Sequence, residues 1–223
     1  MSGEQNRLAR LYSGAFILCI VLTLLSIAFV DRPASTWAHT LGQPAPFVWL
    51  THMIDPFVPA ASIVLPAVGI AALFGWRPGP VGRIVLALCI AVLVATVLKE
   101  ELKFLFGRTW PETWVANNPS WIKDGVYSFE PLHGGRGWAS LPSGHMAVIT
   151  APCTVLWMLA PRILHWLWAA LILAVAIGLL GANFHFIGDM IAGTFVGWAC
   201  GIGAVALTRG LISPPEAPEP RQR

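Results

Sequence analysis

The segment Pro142-Ser143-Gly144-His145 combines a predicted helix start with a proton donor. Ser143 is a good N-cap and Pro142 restricts the backbone before it, so a helix is predicted to begin at Gly144. The free N–H groups of a first helical turn bind anions, and glycine lets an anion approach the backbone closely. A histidine in that turn is placed to give such an anion a proton. The same residues are also compatible with a serine cap on an ordinary helix.

Two other segments carry charged side chains at the ends of apolar stretches. In the first, Lys99 and Lys103 precede Arg108; in the second, His185 and Asp189 are four residues apart and would share one face of a helix. A carboxylate beside an imidazole fixes its tautomer and supports its charged form, which suits a basic or nucleophilic histidine. Taken singly, the basic residues are also compatible with anchors at span ends, and the His–Asp pair with a structural contact in a turn.

The elements that position these residues are predicted to lie in a membrane. Of the 223 residues, 56% are hydrophobic and only 11% are charged, whereas a soluble domain carries roughly 25% charged residues. Such a chain has too few charges to cover a surface that faces water. The four cysteines fall one to each of four apolar runs and show no spacing typical of a metal site or a disulfide framework.

The apolar runs predict an all-α, integral membrane bundle of six transmembrane helices, because each approaches the roughly 20 residues that cross a bilayer. A loop at residues 31–33 follows the first span, and residues 34–56 are predicted to lie partly along the membrane interface. Residues 1–210 form a single six-span domain, 107–142 a polar connector within it, and 211–223 a disordered cytoplasmic tail. The six predicted spans are residues 12–30, 57–76, 81–99, 144–160, 163–182 and 189–208.

The distribution of arginine predicts the orientation of the chain. An even number of spans puts both termini on one side, and basic residues mark the cytoplasmic side. The first loop on the opposite side holds only Arg32. The connector and the turn at 183–188 therefore face the exterior or periplasm, where their basic residues run against the trend and indicate an anionic substrate. The side of the termini carries Arg7, Arg10, Arg77, Arg83, Arg162, Arg209, Arg221 and Arg223.

The three segments resemble the motifs of the type-2 phosphatidic acid phosphatase superfamily of integral-membrane lipid phosphatases. Those motifs are a lysine, six residues and Arg-Pro; Pro-Ser-Gly-His; and Ser-Arg, five residues, His, three residues and Asp. The second motif matches fully, the third matches at His185 and Asp189, and the first at Lys103 and Pro111. The resemblance spans about residues 99–193, and the six-span topology extends it to nearly the whole chain.

The chain departs from the family pattern at both arginines that hold phosphate oxygens. Trp110 stands at the first arginine position and Leu179 at the second. Arg108 and Arg136 are predicted to restore the lost charge, since the planar guanidinium suits phosphate. Lys99 is a weaker substitute. Without any replacement the site is expected to be a very poor phosphatase, because one contact to transition-state charge typically supplies a few kcal/mol.

The resemblance implies a phosphatase that acts on a lipid phosphate or pyrophosphate through a phosphohistidine. His185 is the implied nucleophile, Asp189 orients it, and His145 protonates the leaving oxygen. The expected location is the inner (plasma) membrane, with the site on the outer face. No metal, other cofactor or nucleic acid is expected, and the oligomeric state stays open. The expected phosphate ligands are Lys103, Arg108, Ser143, Gly144 and Arg136.

Several alternatives remain open at this stage. Relatives similar to sphingomyelin synthase also lack parts of the first motif and transfer a headgroup between lipids, so a phosphotransferase is one alternative. A non-catalytic membrane protein that binds a lipid phosphate is another, motivated by the two missing arginines. His145, His185 and Asp189 are also a conceivable zinc set. A Ser143 nucleophile is disfavoured because no strand-turn-helix elbow frames it.

Overall fold

The computed structural model describes residues 3–114 and 117–212. These residues form an all-α structure, in which 76% are helical and no strand occurs. The predicted tail falls mostly outside them, since the last helix reaches Ile212 and residues 213–223 are not described. The helices are α1 (Gly3–Leu25), α2 (Asp31–His39), α3 (Ala45–Thr51), α4 (Phe57–Leu73), α5 (Pro80–Phe106), α6 (Trp121–Asp124), α7 (Gly144–Leu159), α8 (His165–Gly181) and α9 (Ile187–Ile212).

Five helical stretches of the described chain are long and apolar enough to cross a membrane, which makes this a membrane protein. A further apolar helix, α7, has 16 residues, fewer than the roughly 20 that a span normally needs. It packs against α5, α8 and α9. The five stretches are Arg10–His39, Ala45–Leu73, Pro80–Phe106, Arg162–Gly181 and Ile187–Arg209.

The start of the chain differs from the sequence prediction. The predicted loop at residues 31–33 is helical, because a π-helical turn (Ser26–Val30) joins α1 to α2 without a break. Pro33 is tolerated there because it lies in the first turn of α2, just after the backbone hydrogen bonding has changed from the π-helical to the α-helical pattern. Residues 34–56, which are predicted to lie partly along the membrane interface, contain most of α2 and all of α3. Helix α3 packs against α8. Asp31, which the sequence predicts to lie in a loop, is therefore part of a helix and is buried.

Small residues let α7 and α9 approach closely. Gly193, Gly197 and Gly201 recur every four residues along α9, on the face that meets α7. A Cβ at Gly197 would lie 2.8 Å from Cβ of Thr150, and one at Gly201 would lie 2.6 Å from Cβ of Thr154. Helices inside a membrane commonly associate through such small residues. This contact fixes the first turn of α7 beside the first turn of α9.

The connector between α5 and α7 folds back on the helix ends. Gly107 closes α5 with a left-handed φ of 55°, and its carbonyl accepts the Glu130 N–H at 2.8 Å. The N–H of Ser140 donates to the carbonyl of Arg108 at 3.1 Å, and the N–H of Thr109 donates to Ser128 at 3.2 Å. Three separate parts of the connector therefore lie side by side, and they enclose the side chain of Arg108.

Candidate active site

His145 and His185 come from distant parts of the chain and lie next to each other. Their ring centroids are 6.0 Å apart and their planes are inclined by 67°. His145 belongs to the first turn of α7, and His185 to the turn that joins α8 to α9. The N–H of Ser143 donates to the main-chain carbonyl of Asp189 at 2.9 Å, which ties the starts of the two helices together.

Asp189 is completely buried beside His185. Its Oδ2 lies 3.5 Å from Nδ1 of His185, and this Nδ1 makes no hydrogen bond within the described residues. The same oxygen accepts hydrogen bonds from the Ser140 hydroxyl at 2.5 Å and from the Phe186 N–H at 3.2 Å. The carboxylate is thus held in place by other donors and presents an oxygen to the imidazole.

Arg108 lies behind Asp189. The guanidinium is 1% exposed, with Nη1 2.5 Å from Oδ1 of Asp189 and Nη2 2.6 Å from Oδ2 of Asp31. Nη2 also donates to the hydroxyl of Tyr127 at 2.6 Å, and the ring of Phe186 lies 4.4 Å from the guanidinium carbon. The sequence predicts Arg108 as a phosphate ligand. Its terminal nitrogens contact protein carboxylates, so the side chain is directed into the protein.

Asp31 is a member of this cluster that sequence analysis missed. It is completely buried, and its Oδ1 accepts hydrogen bonds from the Ser26 hydroxyl at 2.6 Å and from the Gly188 N–H at 2.8 Å. Its other oxygen contacts Arg108. An acidic residue at the end of an apolar run was a usable signal, because ionisable groups there are costly and more often functional. The adjacent Arg32 and Pro33 made the segment resemble a loop.

Burial and neighbouring charges set the pKa values of three groups in the site. Burial lowers the pKa of His185 below its ordinary value, although Asp189 acts in the opposite direction. Burial raises the pKa of Tyr127 despite the nearby Arg108. Burial would lower the pKa of Arg108, but Asp189 and Asp31 together raise it. At neutral pH these directions favour a neutral imidazole, a protonated phenol and a charged guanidinium.

The rim of the site carries two lysines one helical turn apart on α5. Lys99 reaches the backbone of Gly144, where an added Cβ would lie 3.3 Å from its Nζ. Lys103 Nζ is 3.9 Å from Oε1 of Glu100, which Lys99 also contacts. The lysine side chains are 13% and 15% exposed, against 57% for Glu100. Because Glu100 balances only one of the two lysine charges, a net positive charge remains beside the start of α7.

Arg136 reaches the same rim from the connector. A cavity of about 330 Å³ is lined by Lys103, Glu100 and Arg136. The indole N–H of Trp110 donates to the carbonyl of Arg136 at 2.7 Å, and the Trp110 ring centroid lies 5.0 Å from that of His185. Trp110, at one family arginine position, therefore anchors the loop that supplies a different arginine.

The remaining predicted positions serve the helix start and the core. Ser143 caps α7, with its Oγ accepting the Met146 N–H at 3.4 Å, which leaves the hydroxyl proton free to donate. Gly144 is buried and leaves room for Lys99. Leu179, at the second family arginine position, is completely buried in an apolar cluster with Met146, so that position supplies no charge to the site.

Another acidic residue, Glu112, supports the turn that carries His185. Its Oε1 accepts from the Asn183 side-chain N–H at 3.0 Å and lies 2.6 Å from Nδ1 of His39. Asn183 adopts a left-handed φ of 54°, a conformation that asparagine tolerates better than most residues. Sequence analysis missed this contact as well. An acidic residue within a connector rich in cations was the available signal.

No group of three or more histidine, cysteine, aspartate or glutamate side chains in residues 3–114 and 117–212 is arranged to hold a metal ion. The zinc set considered from the sequence therefore has no counterpart in this part of the chain. The geometry instead offers two imidazoles, one with a carboxylate, next to a group of cations. This combination suits transfer of an anionic group to and from a histidine.

Comparison with known proteins agrees with the motifs. A family model described as the PAP2 superfamily matches residues 82–212, which is more than half of the chain. No curated protein and no solved structure gives a significant match. The matched range includes Lys103, His145, His185 and Asp189. This chain, with its apolar helices and its paired histidines, therefore belongs to the PAP2 superfamily, whose members are generally phosphatases or other phosphoesterases.

Proposed function

We propose that the protein hydrolyses a lipid phosphate or pyrophosphate through a phosphohistidine intermediate. The observation that carries the proposal is the 6.0 Å separation of the His145 and His185 rings, with the buried Asp189 beside one of them. Two imidazoles allow one group to attack phosphorus while the other handles the proton of the leaving group.

The first step is an in-line displacement at phosphorus. Nδ1 of His185 faces Asp189, so Nε2 is the attacking atom, and neutral imidazole is the form that burial favours. A bond forms between Nε2 and phosphorus as the bond from phosphorus to the leaving oxygen breaks. His145 gives its proton to that oxygen, which belongs to a lipid alcohol or a lipid phosphate. Asp189 stabilises the positive charge on the modified ring.

The second step returns the enzyme to its starting state. Water attacks phosphorus, His145 now accepts the proton from water, and the bond between phosphorus and Nε2 breaks. The products are inorganic phosphate and a free His185. The same residue serves as acid and then as base, as expected when the second step reverses the proton transfer of the first.

The phosphate oxygens are assigned to groups at the rim. Lys103 and Arg136 line one cavity, Lys99 lies against Gly144, and the Ser143 hydroxyl has a free proton. With the N–H groups of the first turn of α7, these donors surround an anion bound there. We assign Arg108 to the support of Asp189, since its terminal nitrogens already contact carboxylates.

The proposal includes six spans with both termini in the cytoplasm. As the remaining span, α7 is about 24 Å long, close to the roughly 30 Å of hydrocarbon that a span crosses, and it packs between two longer candidate spans. The arginines on the side of the termini support this orientation. The site then faces the exterior or periplasm, and the protein resides in the inner (plasma) membrane.

Phosphate release tests the proposal directly. Purified protein in detergent would be given phosphatidic acid or farnesyl diphosphate in the presence of EDTA, and free phosphate would be measured. His185→Ala is expected to abolish release, because it removes the attacking atom. His165→Ala is the matched control, since His165 starts α8 at the end opposite to the site. Release by His185→Ala at the wild-type rate would contradict the mechanism.

One observation favours a second candidate, a non-catalytic protein that binds lipid phosphate. Trp110 and Leu179 replace both family arginines, and Arg108 is paired inside the protein. This candidate predicts phosphatidic acid binding that survives His185→Ala, with no turnover of either substrate. A phosphotransferase differs from both in needing an acceptor lipid. Labelled phosphate that appears in a second lipid instead of in solution would identify it.

A further inference from the structure

We propose that Asp31 is a positioning residue for the histidine chemistry, acting through Arg108 to hold Asp189 beside His185 with negative charge in excess. This inference rests on the proposed phosphatase function and adds a residue from the first helical stretch of the chain. Asp31 does not touch either histidine within the described contacts. Its contribution passes through the guanidinium that it shares with Asp189.

Asp31 contacts both Arg108 and the backbone next to Asp189. Asp31 accepts from Arg108 at 2.6 Å and from the Gly188 N–H at 2.8 Å. Gly188 directly precedes Asp189, so one carboxylate holds the backbone of the α8–α9 turn and the cation that contacts its acidic residue. Tyr127 donates to the Ile27 carbonyl at 2.8 Å and accepts from Arg108 at 2.6 Å, which adds a second attachment to the first helical stretch.

The charges in this buried cluster do not cancel. Asp31 and Asp189 are 0% exposed and Arg108 is 1% exposed, so two carboxylates face one guanidinium and one negative charge is left over. Tyr127 stays neutral, because burial raises its pKa. In a medium of low dielectric constant an uncompensated charge is costly, and a positive charge on the adjacent ring relieves the cost.

The nucleophile becomes positive when it is phosphorylated, and the cluster complements that change. The charged or titratable groups that face His185 are Asp189 from α9, Arg108 from the connector, Lys103 from α5 and His145 from α7. Three of these four groups are basic. If Asp31 were absent, Arg108 would be available to Asp189 alone, and the pair would be neutral. The negative charge that supports the modified ring therefore depends on the second carboxylate.

The rate constant of phosphohistidine formation tests this inference. Wild type, Asp31→Asn and Tyr127→Phe would be mixed with phosphorus-labelled farnesyl diphosphate, quenched at high pH and assayed for labelled histidine. Asp31→Asn is expected to lower the rate constant about tenfold, since one nearby charge is worth one pKa unit or more. Tyr127→Phe keeps the charges and removes the hydroxyl that accepts from Arg108 and donates to Ile27. Because only the first of these bonds acts on Arg108, about a threefold decrease is expected.

The time course distinguishes a change in the rate constant of phosphorylation from a change in the fraction of folded, active protein. A merely structural change lowers the amplitude of the labelled fraction, which counts active molecules, but leaves the rate constant unchanged. The control is Ser35→Ala, one turn from Asp31 on α2, because the buried Ser35 hydroxyl has no hydrogen-bond partner within the described residues. The KM for farnesyl diphosphate is expected to stay within about twofold in every variant, since none of these side chains reaches the rim.

Each result of these measurements either supports or overturns the positioning role of Asp31. An unchanged rate constant in Asp31→Asn overturns it, and so does a purely reduced amplitude. If Asp31→Asn yields no folded protein, Tyr127→Phe decides, and a wild-type rate constant in that variant overturns the inference. If wild type forms no labelled histidine, the proposed function fails instead. A labelled wild type with His185→Ala inactive and Asp31→Asn unaffected leaves the proposed function intact.

Discussion

The two charged regions of the site have opposite characters. Behind the histidines, Arg108, Asp31 and Asp189 are almost completely buried, and the guanidinium lies within 2.6 Å of an oxygen of each carboxylate. At the rim, Lys99 and Lys103 share the exposed carboxylate of Glu100, and Arg136 is exposed. Both regions contain basic residues, so composition alone does not distinguish them.

Burial and pairing distinguish the cations that can bind a substrate from those that cannot. A guanidinium enclosed by two carboxylates stabilises and orients groups of the protein, since its removal would leave buried carboxylates unpaired. Cations that exceed the local acidic groups and reach solvent can bind an incoming anion. We therefore propose that the buried region supports the histidine and that the rim binds the phosphate. Substitutions in the two regions should therefore affect different quantities.

The largest expected effect follows from Arg108→Ala. Because this change leaves Asp31 and Asp189 buried without their cation, we expect the free energy of unfolding to fall by about 3–5 kcal/mol. Turnover should fall at least tenfold as Asp189 loses its support. Thermal unfolding in detergent and phosphate release measure the two effects. Unchanged stability together with a raised KM would show that Arg108 binds substrate and would break the comparison.

A large effect on catalysis alone is expected for Lys103→Met. The variant keeps the aliphatic stem and removes a charge from the rim, so we expect kcat/KM to fall about 100-fold, in the range known for lost contacts to transition-state charge. The melting temperature should stay the same or rise, because two neighbouring lysines repel each other. Phosphate release and a melting curve measure these quantities. A marked loss of stability would place Lys103 with the buried cluster.

The smallest expected effect concerns acid stability. Burial lowers the pKa of His185 in the folded protein, whereas the unfolded chain keeps a value of about 6.5. Between pH 7 and pH 5 the unfolded state therefore gains a proton that the folded state does not, and the protein loses up to about 2 kcal/mol of stability. The loss should be smaller in His185→Gln. Melting curves at both pH values measure the difference, and an equal loss in both proteins would contradict the low pKa.

Much of the local chemistry was predictable from sequence, because it depends on short spacings. Ser143 was expected to cap a helix at Gly144, and it does. His185 and Asp189 were expected to lie close together because they are four residues apart, and they do. The predicted neighbourhood of the two histidines is also found. The all-α class and the family were predicted from composition and motifs, and both are confirmed.

The contacts that the sequence did not indicate join distant parts of the chain. Asp31 and Arg108 are separated by 77 positions, and Arg108 and Asp189 by 81, so no local pattern joins them. That residues 34–56 lie partly along the membrane interface stays a prediction, and the packing of α3 on α8 is a contact that their mixed polarity did not indicate. The sequence favours Arg108 over Lys99 as a substitute for the missing arginines, and only the approach of α5 to Gly144 brings Lys99 to the rim.

A helical membrane protein with a capped helix start, two histidines and an acidic partner follows from the sequence, because hydrophobicity and short spacings are properties of the chain alone. Tertiary structure decided which charges cancel and which stay free. The electrostatic effect of a basic residue depends on the carboxylates that fold against it and on how much water remains. Arg108 and Lys103 are five residues apart in sequence, but Arg108 is enclosed by two buried carboxylates, whereas Lys103 shares one exposed carboxylate with Lys99.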